Sequence, residues 1–231
     1  MTQIQGEQGI IKTYSNARKL FQIDHLPIAV MSYGVGNIGP RSIQSFMREF
    51  GSSIPTKNVK EVAQALLSFI IAPYNTQFGT MKEKPALGFF VAGYSQNKVF
   101  AEEWEFVLPS DETPAIVRPE TGFGASWRGI NLPFTRLYKG FDFRIEAELR
   151  KLNVWNDSVE KIFKSYESPV AFDGMPVQDA LNFAVFIVRT TIGMATFEVG
   201  APTCGGPLQV ATILPDSGFE WVVNPQISVR D

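Results

Sequence analysis

Three strand-length runs of almost unbroken apolar residues, far apart along the chain, constrain its fold more than any other feature. They are Leu26–Tyr33 (LPIAVMSY), Leu87–Tyr94 (LGFFVAGY) and Pro207–Leu214 (PLQVATIL). A strand with one wet face alternates apolar and polar residues, whereas a strand covered on both faces reads as a continuous apolar run. All three are therefore expected in the middle of sheets, buried by sheet-on-sheet and helix-on-sheet contacts.

What lies between the runs sets the class. Arg18–Ile23 (RKLFQI) reads as a strand joined to Leu26–Tyr33 through Asp24-His25, a spacing suited to a tight antiparallel hairpin. Two helices follow in succession. The first is expected from about Ile38, with Asn37 as its cap and Pro40 in its first turn; Ile43, Phe46, Met47 and Phe50 fall at i, i+3, i+4, i+7 before Gly51 ends it. The second runs from Asn58 or Val59 to about Ile71 on a stripe of Val59, Val62, Ala63, Leu66, Leu67, Ile70 and Ile71, and Pro73 is expected to stop it. Leu87–Tyr94, Lys98–Leu108 and Ala115–Arg118 then form a meander. Ser126–Tyr138 and Phe143–Val154 read as helical, with Pro133 limiting the first, and a helix spans Val177 to about Ile192. Pro207–Leu214 and Phe219–Val223 close the chain as a hairpin, while Met1–Asn16 reads as a loop or a frayed strand.

This order is not the βαβα alternation of a parallel sheet. It fits an α+β fold, two antiparallel sheets with helix pairs on their outer faces. No internal repeat or shift of composition marks a boundary, so residues 1–231 read as one domain.

Charge and composition exclude several function classes. A formal net charge of -2 with no run of Lys or Arg gives no basic face for nucleic acid. The single Cys204 rules out an intrachain disulfide and suits a reducing compartment. No uninterrupted apolar stretch approaches the ~20 residues needed to span a bilayer, and the first residues lack an apolar signal core. A cytoplasmic protein without membrane partners is expected. With one His25 and one Cys204 far apart, neither a metal site nor a Cys–His dyad is expected. Gly34-Val35-Gly36-Asn37-Ile38-Gly39 is a literal GxGxxG after a strand. A dinucleotide fold would next need a parallel strand ending in an acidic residue. A second helix stands there instead, so a nucleotide-dependent oxidoreductase is the weaker alternative and no cofactor is expected.

Three segments in this order resemble the 20S proteasome subunits and their bacterial relatives. They are Ala17–Phe50, Leu87–Phe106 (LGFFVAGYSQNKVFAEEWEF) and Thr203–Trp221 (TCGGPLQVATILPDSGFEW). The first is similar to the family's lysine-bearing strand, its next strand, a small-residue turn and the first long helix. The resemblance implies a four-layer αββα sandwich of the N-terminal-nucleophile hydrolases, and assembly with copies of itself in a ring or dimer, alongside a partner ATPase. It also implies a threonine-type peptidase acting on polypeptide, whose N-terminal Thr attacks with its own amine as base. Carried over by residue, Lys19 matches the catalytic Lys, and Tyr33 and Gly34 match the oxyanion turn, with the N–H donor left open between them. Gly124-Ala125 stands at the family's Gly-Ser, with Ser126 one position later. Ala201 and Cys204 stand where the family has Asp and Ser. Thr2 matches a Thr that contacts substrate backbone some way into a family member, so the nucleophile is expected upstream of Met1. Only sixteen residues separate Thr2 from Lys19, too few for the family's first two strands if Thr2 itself were the nucleophile. A noncatalytic subunit of the same fold is the alternative reading.

Overall fold

The computed structural model of the chain describes residues 2–6, 9–52, 54 and 56–225, with side chains from Tyr14 onward. It is an α+β protein whose described strand pairs are all antiparallel. The chain divides into two compact units, Met1–Phe123 with Gly206–Asp231, and Gly124–Gly205.

The first unit opens with a hairpin of β1 (Thr2–Gly6) and β2 (Gly9–Tyr14), where the sequence reads only as loop or frayed strand. It continues through β3 (Leu20–Gln22), β4 (Ile28–Gly34), a small ladder of β5 (Asn37–Ile38) with β6 (Arg41–Ser42), and the helices α1 (Ile43–Gly51) and α2 (Val59–Phe78). Then come β7 (Leu87–Gly93), β8 (Glu102–Leu108) and β9 (Ala115–Arg118). The second unit holds α3 (Leu132–Lys139), α4 (Phe143–Lys151), α5 (Asp157–Ser165) and α6 (Val177–Phe197), after which β10 (Val210–Leu214) and β11 (Gly218–Val223) return to the first.

One five-stranded sheet, in the order β3-β4-β7-β8-β9, organises the first unit. Its register opposes Phe21 to Val30, Val30 to Val91, Phe89 to Phe106 and Leu87 to Leu108. Directly opposed residues share a face, and all of these are buried in one cluster with the apolar stripes of α1 and α2. On α1 that stripe is Ile43, Phe46, Met47 and Phe50; on α2 it is Val59, Val62, Ala63, Leu66, Leu67, Ile70 and Tyr74, as the 3.6-residue period predicts. Phe89 is fully buried with its ring 5.2 Å from that of Phe106.

Several expectations are corrected. α2 does not stop at Pro73 but runs on to Phe78. An interior Pro costs about 3 kcal/mol, and burial offsets it: Tyr74 is fully buried and its hydroxyl donates to Pro85 O at 2.7 Å. α1 begins at Ile43 rather than Ile38 because residues 37–42 close the β5–β6 ladder, and its cap is Ser42, whose Oγ accepts from Ser45 N at 3.2 Å. Asn37 instead donates its amide to Gly39 O at 2.8 Å. Pro207–Leu214 is not a central strand among the described residues: there β10 pairs only with β11 and is half-buried along its length. α5, capped by Asn156 through two N–H groups, was not foreseen, although Val159, Ile162 and Phe163 mark one face at i, i+3, i+4.

In the second unit Phe134 forms the fully buried centre, with the rings of Trp127, Phe183 and Phe186 within 6.1 Å. α6 is long and apolar enough to cross a membrane by length and composition, with a mean hydropathy of 1.5. The charged Asp179 and Arg189 within it interrupt the apolar run. Asp142 caps α4 and binds the guanidinium groups of Arg144 and Arg136, which hold its carboxyl well below the usual carboxylate range.

Because Phe89 anchors the sheet to α2, Phe89→Ala is expected to destabilise the protein by about 3–5 kcal/mol. Urea denaturation of the two proteins measures it; a loss below ~1 kcal/mol would show that this ring is not central to the core.

Candidate functional site

The segment from Ala17 to Leu20 runs along the outer edge of the five-stranded sheet, since β3 is its edge strand. An edge strand leaves one row of N–H and C=O groups without a neighbouring strand. Here a side chain takes that place. Gln209, immediately before β10, accepts from both Lys19 N (2.9 Å) and Leu20 N (3.0 Å) on Oε1, and its Nε2 donates to Ala17 O at 3.2 Å. On the other side, Ser32 N donates to Lys19 O at 2.9 Å.

Successive N–H groups of an extended strand point to opposite sides. Those of Lys19 and Leu20 converge on one oxygen, so the backbone leaves strand geometry at Lys19, and β3 starts one residue later. Arg18 beside it is turned to the closing hairpin: its Nη2 donates to Asn224 Oδ1 at 2.6 Å and its guanidinium lies 5.1 Å from the Trp221 ring.

Across β4, Tyr33 and Gly34 end the strand opposite Gly88 and Leu87. N–H groups alternate along β4. Ser32 N points to the β3 side, at Lys19 O, and Val35 N to the β7 side, at Ala86 O (3.1 Å). Tyr33 N therefore faces β7, and Gly34 N faces the side of the Lys19 segment. Of the two residues only Gly34 can present its N–H there. Gly34 has φ +84, and a Cβ on it would lie 2.1 Å from Ala86 O, so a side chain is excluded twice over. Tyr33 does something else: its ring lies over Gly88, where a Cβ would meet Cζ at 2.1 Å, and its hydroxyl donates to Glu105 Oε1. The GxGxxG run owes its first glycine to this close carbonyl. It leads into the β5–β6 ladder rather than directly into a helix, and Ile43 N at the start of α1 donates to Gly36 O at 3.0 Å.

Lys19, Tyr33 and Gly34 are thus brought together at one end of the β3–β4 pair. Thr2 is the first residue of β1, opposite Tyr14, and its side chain lies outside the described residues. Ser126 belongs to the second unit, where it lines a cavity of about 280 Å³ with Trp127 and Thr135. Cys204 is half-buried, and burial pushes its thiol pKa up, away from a reactive thiolate. No group of His, Cys, Asp and Glu able to hold a metal occurs among the described residues. Two residues escaped sequence reasoning. Gln209 is an ordinary polar residue in PLQVATIL, with no local signal for a contact 190 residues away. Ser32 is 5% exposed, and its Oγ is buried without a hydrogen-bond partner among the described residues.

Lys19 is half-buried, and burial lowers its pKa below the ordinary lysine value of 10.5. The unfolded chain then binds more protons at this position than the folded one. Stability therefore rises with pH across the interval from the lowered value up to 10.5. Lys19→Met keeps an apolar stem and removes the charge, so it is expected to raise Tm at pH 7 by about 2–4 °C. Above pH 10.5 that advantage should vanish. Thermal melts at both pH values decide the point, and a variant less stable than wild type at pH 7 would contradict it.

Compared with known proteins, the chain matches no family model and no curated sequence.

Proposed function

We propose that the chain is a proteasome-like subunit of the N-terminal-nucleophile hydrolases, a threonine-type peptidase acting on polypeptide within an oligomeric ring. The observation that carries this reading is Lys19, a half-buried lysine with lowered proton affinity on a kinked segment, beside the inward N–H of Gly34. A surface lysine with only a solubilising role gains nothing from desolvation, whereas a catalytic one is tuned by it. In this reading an N-terminal threonine of the mature subunit supplies both the attacking hydroxyl and the amine that takes its proton. Attack on a peptide carbonyl converts it to a tetrahedral oxyanion, which the Gly34 N–H stabilises by a hydrogen bond. Lys19 disfavours protonation of the amine and balances the charge that develops. Collapse of the oxyanion expels the amine of the leaving peptide and leaves an ester on the threonine, which water then hydrolyses.

The finer fold in this reading is the four-layer αββα sandwich. α1 and α2 over the five-stranded sheet supply one helix layer and one sheet layer. β10 and β11, tied to Lys19 and Arg18 through Gln209 and Asn224, belong with a second sheet. Tyr33, braced on Glu105, fixes the strand end that carries Gly34. Copies of the chain in a ring and a partner ATPase that feeds unfolded polypeptide belong to the same proposal.

A noncatalytic subunit of this fold is the second reading, favoured by Ala201 and Cys204 at the positions of the family's acid and hydroxyl. One experiment separates the two. The product of the natural gene, treated with an epoxyketone peptide, is expected to gain one covalent adduct by intact mass and to hydrolyse fluorogenic peptides. Lys19→Ala should cut that hydrolysis by about 10²–10⁴-fold. Absence of both adduct and hydrolysis points to the noncatalytic subunit, and hydrolysis undiminished in Lys19→Ala removes the role assigned to that residue.

A further inference from the structure

We infer that Gln209 is a positioning residue for Lys19: its side-chain amide holds the Ala17–Leu20 main chain in the kink that aims the lysine. The inference rests on the reading of Lys19 given above, but it is carried by hydrogen-bond geometry. A strand neighbour would impose alternating N–H directions on the segment. A single carbonyl oxygen at the tip of a side chain can accept two adjacent N–H groups at once, and Gln209 Oε1 does so at 2.9 and 3.0 Å. The amide has only one orientation that satisfies the segment. Turned over, its NH₂ would confront two donors, and its oxygen would confront the Ala17 carbonyl that now accepts from Nε2 at 3.2 Å. With Ser32 N on Lys19 O, the peptide groups flanking Lys19 are held from both sides.

The neighbouring contacts show why the clamp works on Lys19 rather than merely fastening the hairpin. Arg18 already anchors that hairpin, through Asn224 at 2.6 Å and the Trp221 ring at 5.1 Å. Lys19 forms no ion pair among the described residues, and no carboxylate among them steers its side chain. The direction of its Cα–Cβ bond is then set by the backbone, and Gln209 sets the backbone. Gln is also neutral: it orders the segment without adding a carboxylate that would raise the proton affinity of the lysine.

The test uses the full-length protein with Gln209→Leu, which keeps size and removes all three hydrogen bonds. Titration of Lys19 is followed by NMR of ¹³C-labelled lysine, next to peptide-hydrolysis kinetics. The expected result is a Lys19 pKa that moves up toward the ordinary lysine value as the freed segment reaches water. Alongside it, kcat should fall on the order of 10–100-fold with KM changed less than about twofold, as for a misaimed catalytic group. An anchor of the hairpin alone would lower Tm yet leave both the titration and kcat in place, and that outcome overturns the inference. Should Gln209→Leu fail to fold, Gln209→Met, unbranched and of matching length, carries the same comparison. Failure of the peptidase reading is distinguishable: Lys19 would still shift in the variant although neither protein hydrolyses peptide. Hydrolysis with an unshifted Lys19 and an unchanged kcat would leave the peptidase reading standing and remove Gln209 from it.

Discussion

The pairing of β4 with β7 is the contact on which the first unit depends. Seven residue pairs run from Ile28–Gly93 to Gly34–Leu87, and a carbonyl is packed onto a glycine Cα at each end. At one end a Cβ on Gly93 would lie 2.1 Å from Pro27 O, and at the other a Cβ on Gly34 would lie 2.1 Å from Ala86 O. Neither contact admits a side chain. The two glycines therefore fix the distance and the register of the ladder as firmly as its hydrogen bonds do. A one-residue slip of β7 against β4 would turn Phe89 and Val91 away from α2, with Phe90 and Ala92 taking their place, and β8, if it followed, would bring in Glu105 for Phe106. The core and the candidate site are thus two consequences of one register: the glycine that closes the ladder is also the residue whose N–H faces the Lys19 segment.

Much of this was legible in the sequence, and the reason is local. The stripes of α1 and α2 and the apolar runs of β4 and β7 declare themselves because each buried face is written in its own segment with a fixed period. Gly34 was legible as a turn residue, and the alternation of N–H groups on β4 turns its N–H, not that of Tyr33, to the β3 side. What was not legible depends on partners remote in sequence. The passage of α2 through Pro73 depends on Tyr74 reaching Pro85, a tertiary contact that overrides a local helix breaker. β10 reads as a central strand because PLQVATIL is apolar, yet it is half-buried and has one partner strand among the described residues. Gln209 is the extreme case. Its importance lies wholly in three hydrogen bonds to a segment at the other end of the chain, and nothing in its neighbours marks it.

The site also separates two adjacent cations that look alike in the sequence. Arg18 has the features of a structural residue: a planar donor on Asn224 and a stacked aromatic partner, both stabilising without burying the charge. Lys19 has the opposite features. It is half-buried, meets no carboxylate among the described residues, and loses proton affinity by desolvation alone. Stability by itself does not explain such a lysine, because an apolar side chain of similar length would fill the same space without a desolvation cost. Its main chain meanwhile leaves strand geometry where Gln209 accepts from Lys19 N and Leu20 N. A backbone irregularity held by a side chain, beside a half-buried and desolvated lysine, is the feature on which the proposed chemistry rests.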